Sequence, residues 1–197
     1  MWLVLVLAAV IGWLIHAFVD PLLEDIQGAQ HLRAPSILAL IMGVMWIYNT
    51  TLWKFPICNK LITVPNLSGS YRGTIRYHRD GVDMVKEAVV QIIQTASHVT
   101  VHSFFRFSNG EHAEETHSVS TASDLSRRDG FDHLDFLYRN GGDKYRGTTT
   151  AHEGWVSLKY LPGEKKLVGH YFTDRQTKGE MEVTFVQKKV TGQFKLD

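Results

Sequence analysis

Residues 67–78 read LSGSYRGTIRYH, and this stretch decides the fold. Every second residue from Leu67 to Tyr77 is apolar, aromatic or glycine, whereas the residues between them, from Ser68 to His78, are polar. Successive side chains of a β-strand point to opposite faces, so this period of two predicts a strand with one buried face. The Asp80-Gly81 pair that follows has the composition of a tight hairpin turn.

The β-rich pattern continues to the end of the chain. Further strands are predicted at about 84–95, 97–107, 113–123, 131–139, 150–160, 167–175 and 180–188. Turn-forming residues, including Asn109-Gly110 and Pro162-Gly163, separate them. About eight strands with short connections predict an up-and-down barrel or a sandwich. The closed antiparallel barrel is favoured, over 65–197, because closure removes exposed edges and leaves room for one small ligand.

The N-terminal third has a different character. Residues 2–19 read WLVLVLAAVIGWLIHAFV and residues 37–53 read ILALIMGVMWIYNTTLW, both without a formal charge. A membrane-spanning helix needs roughly 20 apolar residues, with a range of about 17–25, so both runs are predicted to be transmembrane helices. A cleaved signal peptide is the alternative for the first run, but no basic start and no small-x-small cleavage site accompany it. Residues 1–64 are therefore predicted to be a transmembrane hairpin and linker.

The charges around these runs predict an orientation. The connecting stretch, 20–36, holds three acidic residues and one basic residue, whereas Lys54, Lys60 and Arg72 follow the second run. The positive-inside rule then predicts a multi-pass membrane protein whose N-terminus and β domain lie in the cytosol.

Composition excludes several kinds of partner and site. The chain of 197 residues has 21 basic and 20 acidic side chains, so it lacks the strong positive charge of a protein that tracks duplex nucleic acid. A ligand with one or two phosphates needs only a few Arg or His residues and stays possible. The single cysteine, Cys58, excludes an internal disulfide framework and a multi-cysteine metal site.

No catalytic motif is present. His112 and His117 flank a short acidic stretch, but they are five positions apart on a predicted strand, whereas a zincin motif needs two His at i and i+4 on a helix. The chain also lacks G-x-S-x-G, the P-loop and G-x-G-x-x-G. The sequence therefore predicts a protein that is not an enzyme and has neither a cofactor nor a metal.

Polar and aromatic side chains among the predicted core positions are the candidate ligand-binding residues. One interpretation is that the aromatic residues close the barrel ends with their polar tips in water. The other is a pocket in which aromatic faces stack on bases while Arg and His hold phosphates. The candidates are Tyr71, Tyr77, Gln94, Thr95, Tyr138, His152, Trp155, Tyr171, Thr173 and Arg175.

Five motifs extend the interpretation through a family resemblance. They are LSGSYRG (67–73), VQIIQTASHVTVH (90–102), FLYRN (136–140), HEGWVSL (152–158) and LVGHYFTDRQTKGEMEV (167–183). In order and spacing they resemble the SMODS-associated two-transmembrane β-strand-rich effectors, which are CD-NTase-associated effectors of bacterial CBASS anti-phage defence. Ala96 departs from the family pattern, in which an aromatic residue follows the Thr.

This resemblance implies a mechanism. A cognate CD-NTase makes a cyclic dinucleotide, the barrel binds it, and the effector self-associates as a homo-oligomer. The clustered transmembrane helices then disrupt the inner membrane, so the bilayer is also a partner and the infected cell dies. By this resemblance the protein is a receptor rather than an enzyme, and its only small-molecule partner is the cyclic dinucleotide.

Three other functions remain open. A membrane-tethered, lipocalin-like carrier or receptor would hold an apolar small molecule, a membrane-bound hydrolase would need a nucleophile and a base within reach of each other, and an oligomerisation module would bind no small molecule. Four arginines separate the first of these from phosphate binding, because at least one must face the barrel interior or rim if phosphates bind there. They are Arg76, Arg106, Arg139 and Arg175.

Overall fold

The computed structural model describes residues 2–24, 36–55, 65–79, 81–107, 115–142 and 151–196. The chain divides into two compact units, Met1–Thr63 and Val64–Asp197. The first unit contains helices and the second contains the β-strands.

The helical unit consists of α1 (Trp2–Glu24), α2 (Ile37–Thr50) and a short 3-10 turn (Leu52–Lys54). The Ser36 hydroxyl accepts a hydrogen bond from Ala39 N at 3.2 Å and so caps a backbone donor that the first turn of α2 leaves unpaired. Ala8 of α1 and Tyr48 of α2 are buried, whereas most of the large apolar side chains on both helices are exposed.

The predicted transmembrane helices are contradicted by this structure. Within the described part of the chain, no helix combines the length and the apolarity that a membrane crossing requires. α2 has 14 residues, fewer than the roughly 17 that the shortest membrane-spanning helices need, and α1 contains Pro21 directly after Asp20. Hydropathy correctly identified the two helices, but the prediction that they cross a membrane is wrong.

The second unit is a closed barrel of eight antiparallel strands, in agreement with that part of the predicted fold. Each strand pairs with its neighbours in sequence, and β1 pairs with β8 to close the sheet. The strands are β1 (Gly69–Arg79), β2 (Val82–Gln94), β3 (Val99–Phe107), β4 (Glu115–Arg128), β5 (Phe131–Asn140), β6 (His152–Leu161), β7 (Lys166–Thr173) and β8 (Lys178–Gln187).

The fourth strand extends further than its sequence pattern predicts. Its ladder with β5 runs to the pair Arg128 and Phe131, five residues beyond the predicted end at 123. The intervening turn is Asp129-Gly130, and both residues have positive φ, at 52° and 82°. This is the backbone that a two-residue hairpin turn requires, and an Asp-Gly pair adopts it readily. The polar composition of 124–130 obscured both the strand and the turn.

Aliphatic side chains fill one half of the barrel. We call the end at which β1 begins and β8 finishes the closed end, and the opposite end, at which β1 and β7 finish, the mouth. Burial of the closed-end side chains contributes favourable free energy to the folding of this unit. The fully buried aliphatic residues there are Leu67, Ile92, Val101, Leu134, Leu158 and Leu167.

The C-terminal residues after β8 pack on the outer surface of the barrel. Phe194 is buried against Val89 and Phe104, which point away from the barrel interior. Gln91 is fully buried beneath the same segment: its Nε2 donates to Thr191 Oγ1 at 2.9 Å, and its Oε1 accepts from Gly192 N at 2.8 Å. We call residues 188–196 the C-terminal strap. It explains why polar and apolar residues on the outer face of β2 are both buried.

Candidate functional site

A cavity occupies the mouth half of the barrel. The space open to the centre of a water molecule is about 180 Å³, well above the ~10–15 Å³ that one water needs. All eight strands, and the connection between β7 and β8, contribute to its wall. It is lined by Ile75, Tyr77, Lys86, Ser103, Phe105, Thr116, Ser118, Phe136, Tyr138, Asn140, His152, Val156, Tyr171, Thr173, Arg175, Thr177 and Met181.

Six of the ten predicted binding residues line this cavity: Tyr77, Tyr138, His152, Tyr171, Thr173 and Arg175. They come from β1, β5, β6, β7 and the turn after β7, which are separated in sequence and meet only because the barrel closes. The structure thus brings these side chains together; their role in ligand binding stays a prediction.

The other four predicted residues lie elsewhere and have structural partners. The Tyr71 hydroxyl donates to Leu67 O at 3.0 Å inside the closed-end core. Gln94 holds the start of the domain, because its Oε1 accepts from Leu67 N at 2.8 Å and its Nε2 donates to the carbonyl of residue 65 at 3.0 Å. Thr95 stabilises the turn between β2 and β3, because its Oγ1 accepts a hydrogen bond from His98 N at 3.0 Å. Trp155 packs on Phe172 at the outer surface, with ring centroids 5.0 Å apart.

Two tyrosines of the cavity each lie against a glycine on the neighbouring strand. Tyr138 pairs with Gly154, and a Cβ at 154 would come within 2.6 Å of the Tyr138 ring. Tyr171 pairs with Gly179, where a Cβ would come within 2.7 Å of the Tyr171 ring. Glycine at these two positions therefore allows each ring to lie flat across the adjacent strand and fixes its orientation in the wall.

Burial favours the neutral form of two cavity tyrosines, Tyr138 and Tyr171. Burial raises the pKa of Tyr138 to about 12, and the nearby Arg175 opposes only part of this rise. Burial also raises the pKa of Tyr171, with a smaller contribution from Tyr138. At neutral pH both hydroxyls are protonated and can donate hydrogen bonds, while both rings offer a face for stacking.

Positive charge is placed at the mouth. Arg175 is exposed in the turn after β7, and its Nη2 lies 3.4 Å from Nε2 of His152. Lys86 lines the cavity from β2 and was missed by the sequence analysis. Counting back from the buried Val90 in steps of two places Lys86 on the inward face, so strand phase would have found it.

Only one of the four arginines proposed as a criterion lies at the cavity. Arg139 is on the outer surface and pairs with Glu153 at 2.8 Å. Arg106 packs over the Phe194 ring at 4.3 Å and lies 3.8 Å from Glu115, next to the C-terminal strap. Arg76 is exposed on the outer face of β1. Arg175 alone satisfies the criterion, which is enough to favour phosphate binding over a purely apolar ligand.

One wall of the cavity is polar and deeply buried. Ser103, Ser118, Asn140 and His152 are direct cross-strand partners in turn, so they form a row across β3, β4, β5 and β6. The first three side chains are no more than 5% exposed. Only His152 was predicted as a site residue. Ser103 and Asn140 each lie two positions from an inward-facing residue, Val101 and Tyr138, so strand phase would have found them, whereas the polar pattern of β4 gives no such signal for Ser118.

Among the residues that the structure describes, no group of three or more His, Cys, Asp or Glu could hold a metal ion. The described cavity therefore offers aromatic faces, neutral hydrogen-bonding groups and a few cations. A closed barrel with such a cavity at its mouth belongs to the class of proteins that bind a small molecule inside a β-barrel.

Comparison with known proteins specifies this class. Residues 62–184 match the family described as "Cap15, cyclic dinucleotide receptor domain", and the chain belongs to this family. CD-NTase-associated protein 15 of Yersinia aleksiciae is 26% identical over 155 residues, which cover 75% of this chain and 68% of that protein. The resemblance drawn from the motifs is confirmed for the receptor domain and for its CBASS connection, and its transmembrane part is not.

Proposed function

We propose that this protein is a receptor and effector of CBASS anti-phage defence, and that its barrel cavity binds a cyclic dinucleotide made by a cognate CD-NTase. The observation that carries the proposal is the composition of the cavity in a barrel of the Cap15 receptor family. Aromatic rings and neutral polar groups line its interior, and Lys86, His152 and Arg175 supply cations or hydrogen-bond donors around it.

The chemistry of a cyclic dinucleotide fits these groups. Each of its two phosphates carries a negative charge, and charge-assisted hydrogen bonds from Arg175 and Lys86 are the strongest contacts that the described cavity can offer an anion. Each base has a flat face, which can stack on the neutral rings of Tyr138 or Tyr171. An apolar ligand would leave the buried polar wall without partners, which disfavours the carrier alternative.

Calorimetric titration of the full-length chain with a panel of cyclic dinucleotides tests this proposal. Saturable binding of at least one member, lost or strongly weakened in Arg175→Gln, is the expected result. The linear dinucleotide of the same sequence is the matched ligand control and should bind more weakly, because its backbone must first be ordered. Absence of binding by every member of the panel would reject the function.

For the output step, we propose that the bound state self-associates and acts on the inner membrane, with the barrel in the cytosol. Support comes from the large apolar side chains that α1 and α2 expose, among them Trp13, Phe18 and Trp46, each more than 60% exposed. Exposed apolar surface of this kind marks contact with protein or lipid. A ligand promotes assembly only as far as it binds the assembled state better than the free one.

Two measurements test the output. Analytical ultracentrifugation with and without the ligand should show a larger species only when ligand is present. Leakage of dye from vesicles made of phosphatidylethanolamine and phosphatidylglycerol should follow the same ligand dependence, with Trp13→Gln and Trp46→Gln reducing leakage while leaving ligand affinity unchanged. An unchanged sedimentation coefficient and no leakage at saturating ligand would reject this step.

A further inference from the structure

The polar wall of the cavity has hydrogen-bonding capacity that the described residues of the protein do not use. Ser103 and Ser118 face each other across β3 and β4, and Ser118 faces Asn140 across β4 and β5. All three line the cavity and are at least 95% buried. Their polar atoms are therefore directed into an enclosed space rather than into bulk solvent.

The bonds of Asn140 fix the orientation of its amide. Its Oδ1 accepts from Gly142 N at 2.9 Å, and its Nδ2 donates to Ser118 Oγ at 3.2 Å. The Ser118 hydroxyl, which accepts this bond, keeps its own hydrogen for another acceptor, and Asn140 keeps its second amide hydrogen. Within the described part of the chain, two donors thus remain available at adjacent positions of the wall.

Ser103 supplies the observation that points to a ligand. Its Oγ is buried, lines the cavity, and has no hydrogen-bond partner among the residues that the structure describes. Buried polar atoms nearly always have a partner, because leaving one unpaired costs folding free energy. A hydroxyl kept in this position is explained by a partner that arrives from outside the chain.

We infer that Ser103, Ser118 and Asn140 bind the hydrogen-bonding edge of one base, so the cyclic dinucleotide enters base-first and leaves its phosphates near Arg175 and Lys86. This inference rests on the proposed function. The wall of these three residues carries no charge, and burying a phosphate against it would leave the anion without a cation. A base edge instead presents neutral N–H and C=O groups, which hydroxyl and amide side chains can match.

A base edge and a phosphate predict different results when contacts are removed. Loss of a contact to the base edge changes the affinity for different bases unequally. Loss of a contact to phosphate weakens all cyclic dinucleotides by similar factors, because they share the same backbone. The ratio of affinities within a panel therefore distinguishes the two kinds of contact.

The test compares wild type, Ser103→Ala and Arg175→Gln as full-length proteins in calorimetric titrations with cyclic di-AMP, cyclic di-GMP and cyclic di-UMP. For Ser103→Ala, affinity for the preferred ligand should fall about three- to tenfold, the loss of one hydrogen bond, and the ratio between preferred and disfavoured ligands should shrink. For Arg175→Gln, all measurable affinities should fall by similar factors.

Thermal unfolding without ligand separates a binding role for Ser103 from a structural one. Since its hydroxyl has no partner in the described structure, Ser103→Ala should unfold at the same temperature as wild type or higher. Ser70→Ala is the matched control: Ser70 is equally buried, but its Oγ donates to Lys189 O at 2.6 Å, so this variant should unfold earlier and keep wild-type affinities. If the alanine variant folds poorly, Ser103→Cys is measured instead, because it keeps a side chain of similar volume.

The possible outcomes are distinct. Wild-type affinities for all three ligands in Ser103→Ala and Ser103→Cys, or equal losses with unchanged ratios, would overturn the base-edge inference and leave the proposed function standing. If the wild-type protein binds none of these three ligands and no other cyclic dinucleotide, both the base-edge inference and the proposed function are overturned.

Discussion

Tyr138 and Gly154 face each other on neighbouring strands, and the tyrosine ring lies so close to the glycine that a Cβ at 154 would come within 2.6 Å of it. The Phe172 carbonyl oxygen would be only 2.7 Å from the same Cβ. The ring and the backbone therefore close the space on two sides. This contact sets the position of an aromatic residue that lines the cavity.

Gly154→Ala is expected to destabilise the barrel by about 1–3 kcal/mol, as overpacking typically does, and to weaken ligand binding by displacing the Tyr138 ring. Chemical denaturation measures the first effect and calorimetry the second. Gly163→Ala is the control, because a Cβ there meets nothing within 4 Å and the change should alter neither quantity. Wild-type stability and affinity in Gly154→Ala would show that the ring position is not restricted in this way.

Removing the mouth cations should weaken the binding of a cyclic dinucleotide. Hydrogen bonds to charged groups contribute about 1.5–3 kcal/mol, so Arg175→Gln and Lys86→Met should each reduce affinity roughly 10- to 100-fold. The salt dependence of binding should also become shallower. Arg139→Gln removes an arginine that pairs with Glu153 on the outer surface and should bind as wild type does. Equal losses in all three variants would indicate a general charge effect.

The C-terminal strap should stabilise the barrel without contributing to the cavity. Phe194 is 4% exposed, and truncating such a side chain to alanine costs about 3–5 kcal/mol when the surroundings cannot collapse. Phe194→Ala should therefore lower the urea midpoint strongly and leave ligand affinity unchanged once the protein is folded. Lys195→Ala, next to it and exposed, is the matched control. A loss of affinity in folded Phe194→Ala would mean that the strap communicates with the cavity.

Stability should fall in strongly alkaline solution. Burial raises the pKa of Tyr138 to about 12, whereas the same group in the unfolded chain ionises near 10. The unfolded state therefore releases this proton first, so the contribution of Tyr138 is complete below pH 10 and declines between about pH 10 and 12. Tyr138→Phe should show a smaller loss over this range. Absorbance titration should detect Tyr138 among the late-ionising tyrosines; ionisation of all seven together near pH 10, with the fold intact, would contradict the burial argument.

The strand pattern was predictable because one face of each strand is buried. Alternation from Leu67 to Tyr77 predicted β1, and the same rule predicted the other strands, with β4 cut short because both of its faces are polar. Strand phase also selected Tyr138 and Tyr171, whose neighbours in the strand are outward-facing. Strand phase also selected Tyr71, which faces inward but lies in the closed-end core rather than at the cavity.

The remaining features depend on contacts that sequence patterns do not contain. Ser118 and Asn140 belong to the polar wall because the cross-strand register places Ser118 directly between Ser103 and Asn140. Gln91 looks like a solvent-facing residue, and only the C-terminal strap, a segment with no periodicity, buries it. The apolar runs at the N-terminus correctly predicted helices, but no helix in the described part of the chain combines the length and the apolarity that crossing a bilayer requires.

Co-crystallisation of the full-length protein with the cyclic dinucleotide that binds it most tightly tests the central claim most directly. The expected result is ligand density inside the mouth half of the barrel, with one base against Ser103 and Asn140 and a phosphate within hydrogen-bonding distance of Arg175. Density on the outer surface, or an empty cavity at saturating ligand, would contradict the account.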